Sequence, residues 1–282
     1  MSDRGFARGE FLVDAEWLRA HLHDADLRVV EVDVNGAAYT DGHIEGAVLW
    51  NIYSDLRDAD YQLVGTSAIQ ELFERSGIQP STTVVFYGYA PTLGFWLMTL
   101  FGHTAARVLD CSRSFWKESG LPWTSAVPEI APTVYPLPTE NKAVRATASE
   151  VERAIENPAT TILDVRTDNE FRGERFWPSG GSQPGGQAGH VPSALHLVID
   201  GLRDETGAFK NADEVRSVFA AVEPADPADP AASGELITYC TVGVRASVAW
   251  FALSYLLGRD TVRVYDGSWA EWGLLPGAAV AR

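Results

Sequence analysis

The chain contains two cysteines, Cys111 and Cys240, and a cysteine thiol is the most direct source of nucleophilic chemistry in this sequence. No C-x-x-C pair or His/Cys grouping is present, so the pattern predicts neither a disulfide framework nor a zinc site. Cys240 follows a short apolar run and precedes an apolar segment that predicts a helix over residues 246–257. In an open α/β sheet, ligands bind beyond the carboxyl ends of the strands, which is where Cys240 would lie.

The residues that follow Cys240 suit an anion-binding loop, and they are Thr241, Val242, Gly243, Val244 and Arg245. The N–H groups of such a loop can turn inward and stabilise a cysteine thiolate. Gly243 suits a position with tight curvature or positive φ. A cation in the first helical turn opposes the helix dipole, so we expect Arg245 to pair with an anion, either substrate or thiolate. The alternative is that this segment binds no anion, with Cys240 a buried residue at the end of a strand and Arg245 a solvated surface residue.

The elements that would position this loop occur twice along the chain. In each half a capped helix precedes a β-branched run, a Gly-His turn, a buried strand, and a helix that ends at glycine. Alternating strands and helices predict an α/β fold whose open, mostly parallel sheets are flanked by helices. The matching segments are residues 11–20 and 146–155, 29–32 and 161–165, 42–47 and 189–194, 83–87 and 235–239, and 107–110 and 263–266.

Four prolines between residues 125 and 146 mark an extended linker between the two halves. We therefore predict an N-terminal unit over residues 1–126, a linker over 127–145 and a C-terminal unit over 146–282. The Gly-rich segment 177–189 and the Pro/Ala segment 223–234 are predicted surface loops. Trp177, in the first of them, is expected to help cover a cleft.

The pattern Cys-x-x-Gly-x-Arg at residues 240–245 resembles the rhodanese family. Leu-Asp-Val-Arg at 163–166, Gly-His-Val-Pro-Ser-Ala at 189–194 and Val-Tyr-Asp-Gly-Ser-Trp-x-x-Trp-Gly at 264–273 are also similar to motifs of that family. Because both halves match, the resemblance covers nearly the whole chain and points to the tandem-domain thiosulfate sulfurtransferases. It implies two rhodanese-like domains.

The resemblance also implies a double-displacement reaction on Cys240. The thiolate would take the outer sulfur of thiosulfate, release sulfite, and hold a persulfide until cyanide or a thiol removes the sulfur. The implied partners are thus a small anionic sulfur donor and a thiophilic acceptor, with a protein acceptor possible. Neither a metal nor an organic cofactor is required.

The first half departs from this pattern at the position of Cys240, where it has Gly88. Its loop and helix are also four residues shorter, from Gly88 to Gly102 against Cys240 to Gly258. The resemblance therefore implies a non-catalytic first half that shapes the cleft. We expect Cys111 to be a small packed thiol without a redox role.

Several polar residues are candidates for supporting roles. Asp164 and Arg166 are predicted to form a buried pair that orients loops near Cys240. Glu170 stands where mercaptopyruvate sulfurtransferases have an arginine, so their carboxylate clamp is in doubt here, although Arg172 or Arg175 would be near enough to replace it. Of the histidines, His43 and His190 are predicted to hold turns, while His21 and His23 lie two apart on a helix and do not make a metal pair.

Three other functions are compatible with parts of this pattern. A 3-mercaptopyruvate sulfurtransferase would share the architecture and differ in its donor. A phosphatase or arsenate reductase would need Cys-x5-Arg, whereas Cys240 and Arg245 are separated by four residues. A non-catalytic rhodanese-like binding module would be expected to lack the cysteine.

Charge narrows the set of partners further. The net charge of −16 argues against a nucleic-acid partner, because phosphate binding depends on clustered Lys and Arg. No apolar stretch approaches the roughly 18 to 20 residues needed to span a bilayer, and the N-terminus lacks the apolar core of a secretory signal. We therefore expect a cytoplasmic protein without a membrane partner.

Overall fold

Two parallel sheets form the framework of the computed structural model, which describes residues 4–222 and 234–282. The strands are β1 Leu12–Val13, β2 Leu27–Asp33, β3 His43–Ile44, β4 Val48–Asn51, β5 Thr83–Gly88, β6 Ala106–Leu109, β7 Trp123–Thr124, β8 Thr160–Asp164, β9 Leu195–His196, β10 Glu235–Tyr239 and β11 Val262–Val264. The first sheet has the order β1-β6-β5-β2-β4 and the second β11-β10-β8-β9. Within both sheets every pairing is parallel, while β3 and β7 form a small antiparallel pair.

Helices flank these sheets, as predicted for an α/β fold. They are α1 Ala15–His21, α2 Ala37–Asp41, α3 Ile52–Asp55, α4 Thr66–Arg75, α5 Pro91–Leu100, α6 Arg113–Glu118, α7 Ala148–Ala154, α8 Asp168–Phe171, α9 Ala212–Val218, α10 Val244–Phe251 and α11 Ser268–Trp272. Short 3₁₀ segments occur at Gly9–Phe11 and Asp200–Leu202. In the described part of the chain, no helix combines the length and apolar character required to cross a membrane. Most of the predicted loop 223–234 falls in residues 223–233, outside the described residues.

A side-chain cap begins the first helix of each half, as the sequence predicts. Asp14 accepts a hydrogen bond from the Trp17 N–H at 2.8 Å and caps α1. At the corresponding place in the second half, Thr147 and Glu150 form a capping box that starts α7. These side chains satisfy N–H groups that a helix N-terminus otherwise leaves without partners.

The helix after Cys240 differs from the prediction of residues 246–257. It begins two residues earlier, because Gly243 is its N-cap, and its α-helical part ends at Phe251. The chain continues in a wider π-helical turn, Ala252–Leu256, in which the Tyr255 ring packs edge-on against Phe95 at 4.8 Å. Apolar periodicity cannot distinguish an α-helix from a π-turn, so the sequence did not predict this change. The predicted end of the helical segment at Gly258 agrees with the φ of this glycine, +83°, which a helix does not allow.

The two halves pack through α5 and α10, which lie against each other. The Thr92 and Ser247 hydroxyls are 2.9 Å apart, and the Phe95 and Phe251 rings meet edge-on at 5.0 Å. One cluster of buried apolar side chains includes residues from both sheets. This shared core fixes the position of the first half relative to the Cys240 loop.

The halves also repeat individual contacts. The Tyr87 hydroxyl donates to the buried carboxylate of Glu31, as the Tyr239 hydroxyl does to Asp164. The His43 ring stacks on Tyr39 at 3.8 Å and the His190 ring on Phe171 at 3.6 Å, and in each case histidine Nδ1 lies within hydrogen-bond distance of the carbonyl oxygen of its stacking partner. Both histidines are thus engaged in local turn structure.

Candidate active site

Cys240 lies immediately after β10 and is only 1% exposed. Its N–H donates to the Ser268 hydroxyl at 3.1 Å, and its carbonyl oxygen accepts from the Trp269 N–H at 3.0 Å. The Thr241 carbonyl oxygen accepts from the Ala270 N–H at 2.9 Å. The start of the loop is therefore anchored to α11, and within the described residues the N–H groups of Thr241, Val242 and Gly243 donate to no protein acceptor.

Gly243 occupies a backbone conformation that glycine tolerates best, with φ of +86°. A Cβ added there would lie 2.8 Å from Arg57 Nη2 and 2.9 Å from the Asp266 carbonyl oxygen. The predicted positive φ is therefore present, and the close approach of neighbouring groups adds a second reason for glycine.

Arg57, from the first half, contacts the backbone of the Cys240 loop, and the sequence did not predict this contact. Its side chain is 1% exposed, and Nη2 donates to the Val242 carbonyl oxygen at 3.0 Å. Nη1 donates to the Asp266 carboxylate at 2.8 Å, which also accepts from Arg145 Nε at 2.8 Å. The local signal for Arg57 is weak: it is one arginine within the acidic segment 55–60.

The anion that pairs with Arg245 is the carboxylate of Glu170, and not the substrate or thiolate that the sequence predicts. Arg245 donates to the two carboxylate oxygens, each at 2.8 Å, and Nη2 also contacts the Thr241 hydroxyl at 2.7 Å. That hydroxyl donates to Glu170 Oε1 at 2.6 Å. Glu170 is fully buried, so a carboxylate inside the protein neutralises the arginine of the loop.

The charges of this pair are fixed by their surroundings. Burial alone would raise the pKa of Glu170, but hydrogen bonds from Arg245, Thr241 and Thr167 and the charge of Arg245 lower it to about 2. Burial lowers the pKa of Arg245, whereas Glu170 and the charge of a Cys240 thiolate raise it above its ordinary value. Both groups are therefore ionised at neutral pH, with Arg245 in the electrostatic range of Cys240.

Asp164 and Arg166 form a fully buried ion pair, with 2.7 Å between Arg166 Nη2 and Asp164 Oδ2. Arg166 Nη2 also donates to the Gly189 carbonyl oxygen at 2.8 Å, and its guanidinium lies 4.4 Å from the centre of the Trp269 ring. The pair thus connects the end of β8 to the 189–194 turn and to α11, next to the residues that anchor Cys240.

The two arginines considered as a substitute carboxylate clamp are engaged at the surface. Arg172 is 59% exposed and pairs with Glu174 at 3.0 Å. Arg175 donates to the carbonyl oxygen of Pro178 at 2.9 Å. The structure brings neither guanidinium into the hydrogen-bond network of residues 240–245 described above.

A cavity of about 490 Å³ lies between the halves. Trp177, which the sequence predicts to cover a cleft, lines this cavity. The centres of the Trp177 and Tyr61 rings are 5.2 Å apart. The lining residues are Tyr53, Asp58, Ala59, Tyr61, Trp177 and Ser179.

Neither Gly88 nor Cys111 offers a second reactive position. Gly88 has φ of +100°, and a Cβ there would lie 3.0 Å from both Glu31 Cγ and the Val32 carbonyl oxygen. Cys111 is 8% exposed; burial first, and then the charge of Asp110, raise its pKa to about 12. A thiol with this pKa is almost entirely protonated at neutral pH and is a poor nucleophile.

Comparison with known proteins agrees with this geometry. The model of the rhodanese-like domain matches residues 147–274, the segment that contains the Cys240 loop. A putative thiosulfate sulfurtransferase of Haloferax volcanii is 34% identical, covering 100% of this chain and 99% of the relative. The chain belongs to the rhodanese family. Further relatives are the sulfur carrier protein TtuD of Thermus thermophilus, 34% identical over 99% of both chains, and the putative thiosulfate sulfurtransferase SseA of Mycobacterium tuberculosis, 35% identical over 95% of this chain and 89% of the relative.

Solved structures with the same fold span nearly the whole of this rhodanese-family chain. The structure of YnjE superimposes with a TM-score of 0.83 at 21% identity, covering 98% of this chain and 69% of that one. An anaerobic ergothioneine biosynthesis enzyme from Chlorobium limicola, in complex with trimethyl histidine, gives a TM-score of 0.81 at 22% identity and covers 98% and 71%. These similarities establish the fold of both halves together.

Proposed function

We propose that this protein is a sulfurtransferase that accepts the outer sulfur of thiosulfate on Cys240 and passes it to a thiophilic acceptor. The observation that carries the proposal is the Cys240 loop, in which three N–H groups follow the thiol without an acceptor among the described residues, and Gly243 has positive φ. The names of several relatives, putative thiosulfate sulfurtransferases and a sulfur carrier protein, support the same chemistry.

The reaction would proceed in two displacements. In the first, the Cys240 thiolate attacks the outer sulfur of thiosulfate; a bond forms between the two sulfurs, the S–S bond of thiosulfate breaks, and sulfite leaves with the electron pair. In the second, an acceptor such as cyanide or a thiolate removes that sulfur and regenerates the Cys240 thiolate. The N–H groups of Thr241, Val242 and Gly243 would stabilise the negative charge of the persulfide.

The surrounding residues would act by holding the loop in place. Arg245 and Glu170 fix the Thr241 hydroxyl, while Arg57 holds the Val242 carbonyl group. Asp164 and Arg166 would position the turn beside α11. None of these roles requires a metal ion or an organic cofactor. We also propose that residues 146–282 form the catalytic domain, residues 127–145 a linker, and residues 1–126 a non-catalytic domain that completes the cleft.

The choice of thiosulfate over 3-mercaptopyruvate rests on the charges beside the loop. Binding of a carboxylate donor is helped by an arginine that is free to form a bidentate pair. Here Arg245 already forms such a pair with Glu170, and Arg172 is engaged at the surface. Thiosulfate can instead be bound by the loop N–H groups.

Mass spectrometry of the intact protein tests this proposal. Incubation with thiosulfate should add the mass of one sulfur atom to the wild-type protein and to Cys111→Ser, and subsequent cyanide should remove it and form thiocyanate. Cys240→Ser should show neither the mass gain nor thiocyanate formation. Sulfur transfer by folded Cys240→Ser would overturn the proposal, and a faster mass gain with 3-mercaptopyruvate would replace the donor.

A further inference from the structure

Residues 53–58 of the first half contribute both to the cavity between the halves and to a contact with the Cys240 loop. Tyr53 and Asp58 line the cavity, and Arg57, which precedes Asp58 in the chain, contacts the Val242 carbonyl oxygen at 3.0 Å. The pKa of Tyr53 is raised by burial and, to a smaller extent, by neighbouring groups that include the charge of Cys240. A molecule in this cavity would therefore lie close to the sulfur that Cys240 carries.

Three aromatic side chains form a continuous wall of the cavity. The Tyr53 and Tyr61 rings are 6.4 Å apart and inclined at 81°, and the Tyr61 and Trp177 rings are 5.2 Å apart and inclined at 56°. The Trp177 indole N–H donates to the Gln183 side chain at 3.2 Å, which orients its ring. Inclined rings of this kind enclose a corner in which a cation can contact more than one π-face.

The charge of the cavity is negative. Among the described residues that line it, Asp58 is the one charged side chain. Its Oδ1 accepts from the N–H groups of Asp60 and Gln62, both at 2.9 Å, so the carboxylate is held in a fixed orientation. The two arginines near the thiol do not offset this charge, because Arg57 is paired with Asp266 and Arg245 with Glu170.

We propose that this cavity binds the sulfur acceptor and selects acceptor thiols that carry an organic cation, such as a protonated amine. The proposal rests on the proposed function of Cys240. The acceptor thiol gives up its proton and the Cys240 persulfide anion takes one up, so that the resulting thiolate attacks the outer sulfur of a protonated persulfide. A bond forms between acceptor sulfur and outer sulfur, the bond from the outer sulfur to Cys240 breaks, and the Cys240 thiolate keeps that electron pair.

The test compares three thiols of similar size and different charge, with thiosulfate as the common donor. Cysteamine is cationic, 2-mercaptoethanol neutral and 3-mercaptopropionate anionic, and kcat/KM for each is divided by its thiolate fraction to remove differences in thiol acidity. We expect this corrected kcat/KM to be about tenfold or more higher for cysteamine than for 3-mercaptopropionate, because the cation would interact with one carboxylate and one aromatic face. Tetramethylammonium, but not sodium at equal ionic strength, should compete with cysteamine.

Matched variants separate the cavity from the overall negative charge of the protein. Asp58→Asn should reduce the cysteamine preference several-fold, and Tyr61→Leu should weaken competition by tetramethylammonium. Asp60→Asn removes an equal charge beside the cavity and should leave the ranking unchanged. The preference should persist in about 0.5 M salt, at which long-range attraction is screened.

Two failures can be told apart. If wild-type protein forms no persulfide and no thiocyanate, the proposed function fails. If it does both, yet the three thiols react equally per thiolate, or Asp60→Asn changes the ranking as much as Asp58→Asn, the inference about the cavity is wrong and the function stands.

Discussion

Replacing Glu170 by glutamine tests how the Cys240 loop is held. The buried carboxylate accepts from Arg245, Thr241 and Thr167, and a glutamine amide in its place would keep the shape of the side chain without its charge. Removing one partner of a buried ion pair leaves the other charge uncompensated. We therefore expect the E170Q variant to be less stable and to transfer sulfur more slowly, because Arg245 and the Thr241 hydroxyl lose their common partner.

The expected loss of stability follows from the pKa of Glu170, which falls from 4.5 to about 2. One pKa unit corresponds to about 1.4 kcal/mol, so the ionised carboxylate contributes about 3 kcal/mol to the free energy of unfolding at neutral pH. Because the pKa is lower in the folded than in the unfolded state, this contribution is complete above pH 4.5 and is lost as the pH falls towards 2. By about pH 3 it should be less than half its neutral value.

Urea unfolding of wild-type and E170Q protein between pH 7 and pH 3 measures this contribution directly. Glu150→Gln is a matched control: Glu150 is also in a capping box, pairs with Arg263, and has a pKa lowered to about 2 despite burial, by Arg263 and Thr147. E150Q should also reduce stability, yet leave thiosulfate turnover unchanged. An E170Q stability deficit that stays constant down to pH 3, or equal loss of turnover in both variants, would refute the reasoning.

Three other substitutions test separate parts of the site. Arg57→Ala should lower the free energy of unfolding by about 3–5 kcal/mol, as for other broken buried pairs, and reduce kcat in the thiosulfate–cyanide assay, whereas Arg75→Ala, at the surface, should do neither. Gly243→Ala should lose activity because its Cβ meets Arg57 and the Asp266 carbonyl oxygen; Gly46→Ala, with φ of +77° and open space around it, should show only backbone strain of about 1 kcal/mol in denaturant titrations. Cys111→Ser should retain full turnover, and iodoacetamide at neutral pH should label Cys240 before Cys111, as peptide mapping would show.

The features that could be predicted from the sequence are local ones. Apolar runs identified the buried strand before Cys240 and the helix after it, and the capped helix at the start of each half was predicted, because a cap and its N–H partners lie within a few residues. The positive φ of Gly243 could be predicted for the same reason, because a φ of +86° depends on the type of a single residue. Because the same order of strands and helices occurs in both halves, these local features together predicted an α/β fold with parallel sheets.

The features that could not be predicted depend on contacts between distant residues. Arg245 was correctly expected to have an anionic partner, but Glu170 is 75 positions away and is brought to it only by the pairing of β8 with β10. Arg57 lies 185 positions before Val242 and reaches it across the boundary between the halves. No spacing rule reports such pairs, because the intervening chain sets their distance in space.

The pairing of Asp266 with arginines of other segments affects whether the rhodanese domain could fold as a separate protein. Asp266 lies inside residues 147–274, which match the family model, but its two arginine partners, Arg57 and Arg145, lie outside them. Cutting the gene at the edges of the matched segment would therefore leave a buried carboxylate without its countercharges, directly behind the Cys240 loop. A single-unit version of this protein would need a cation of its own at that place, or a neutral residue instead of Asp266.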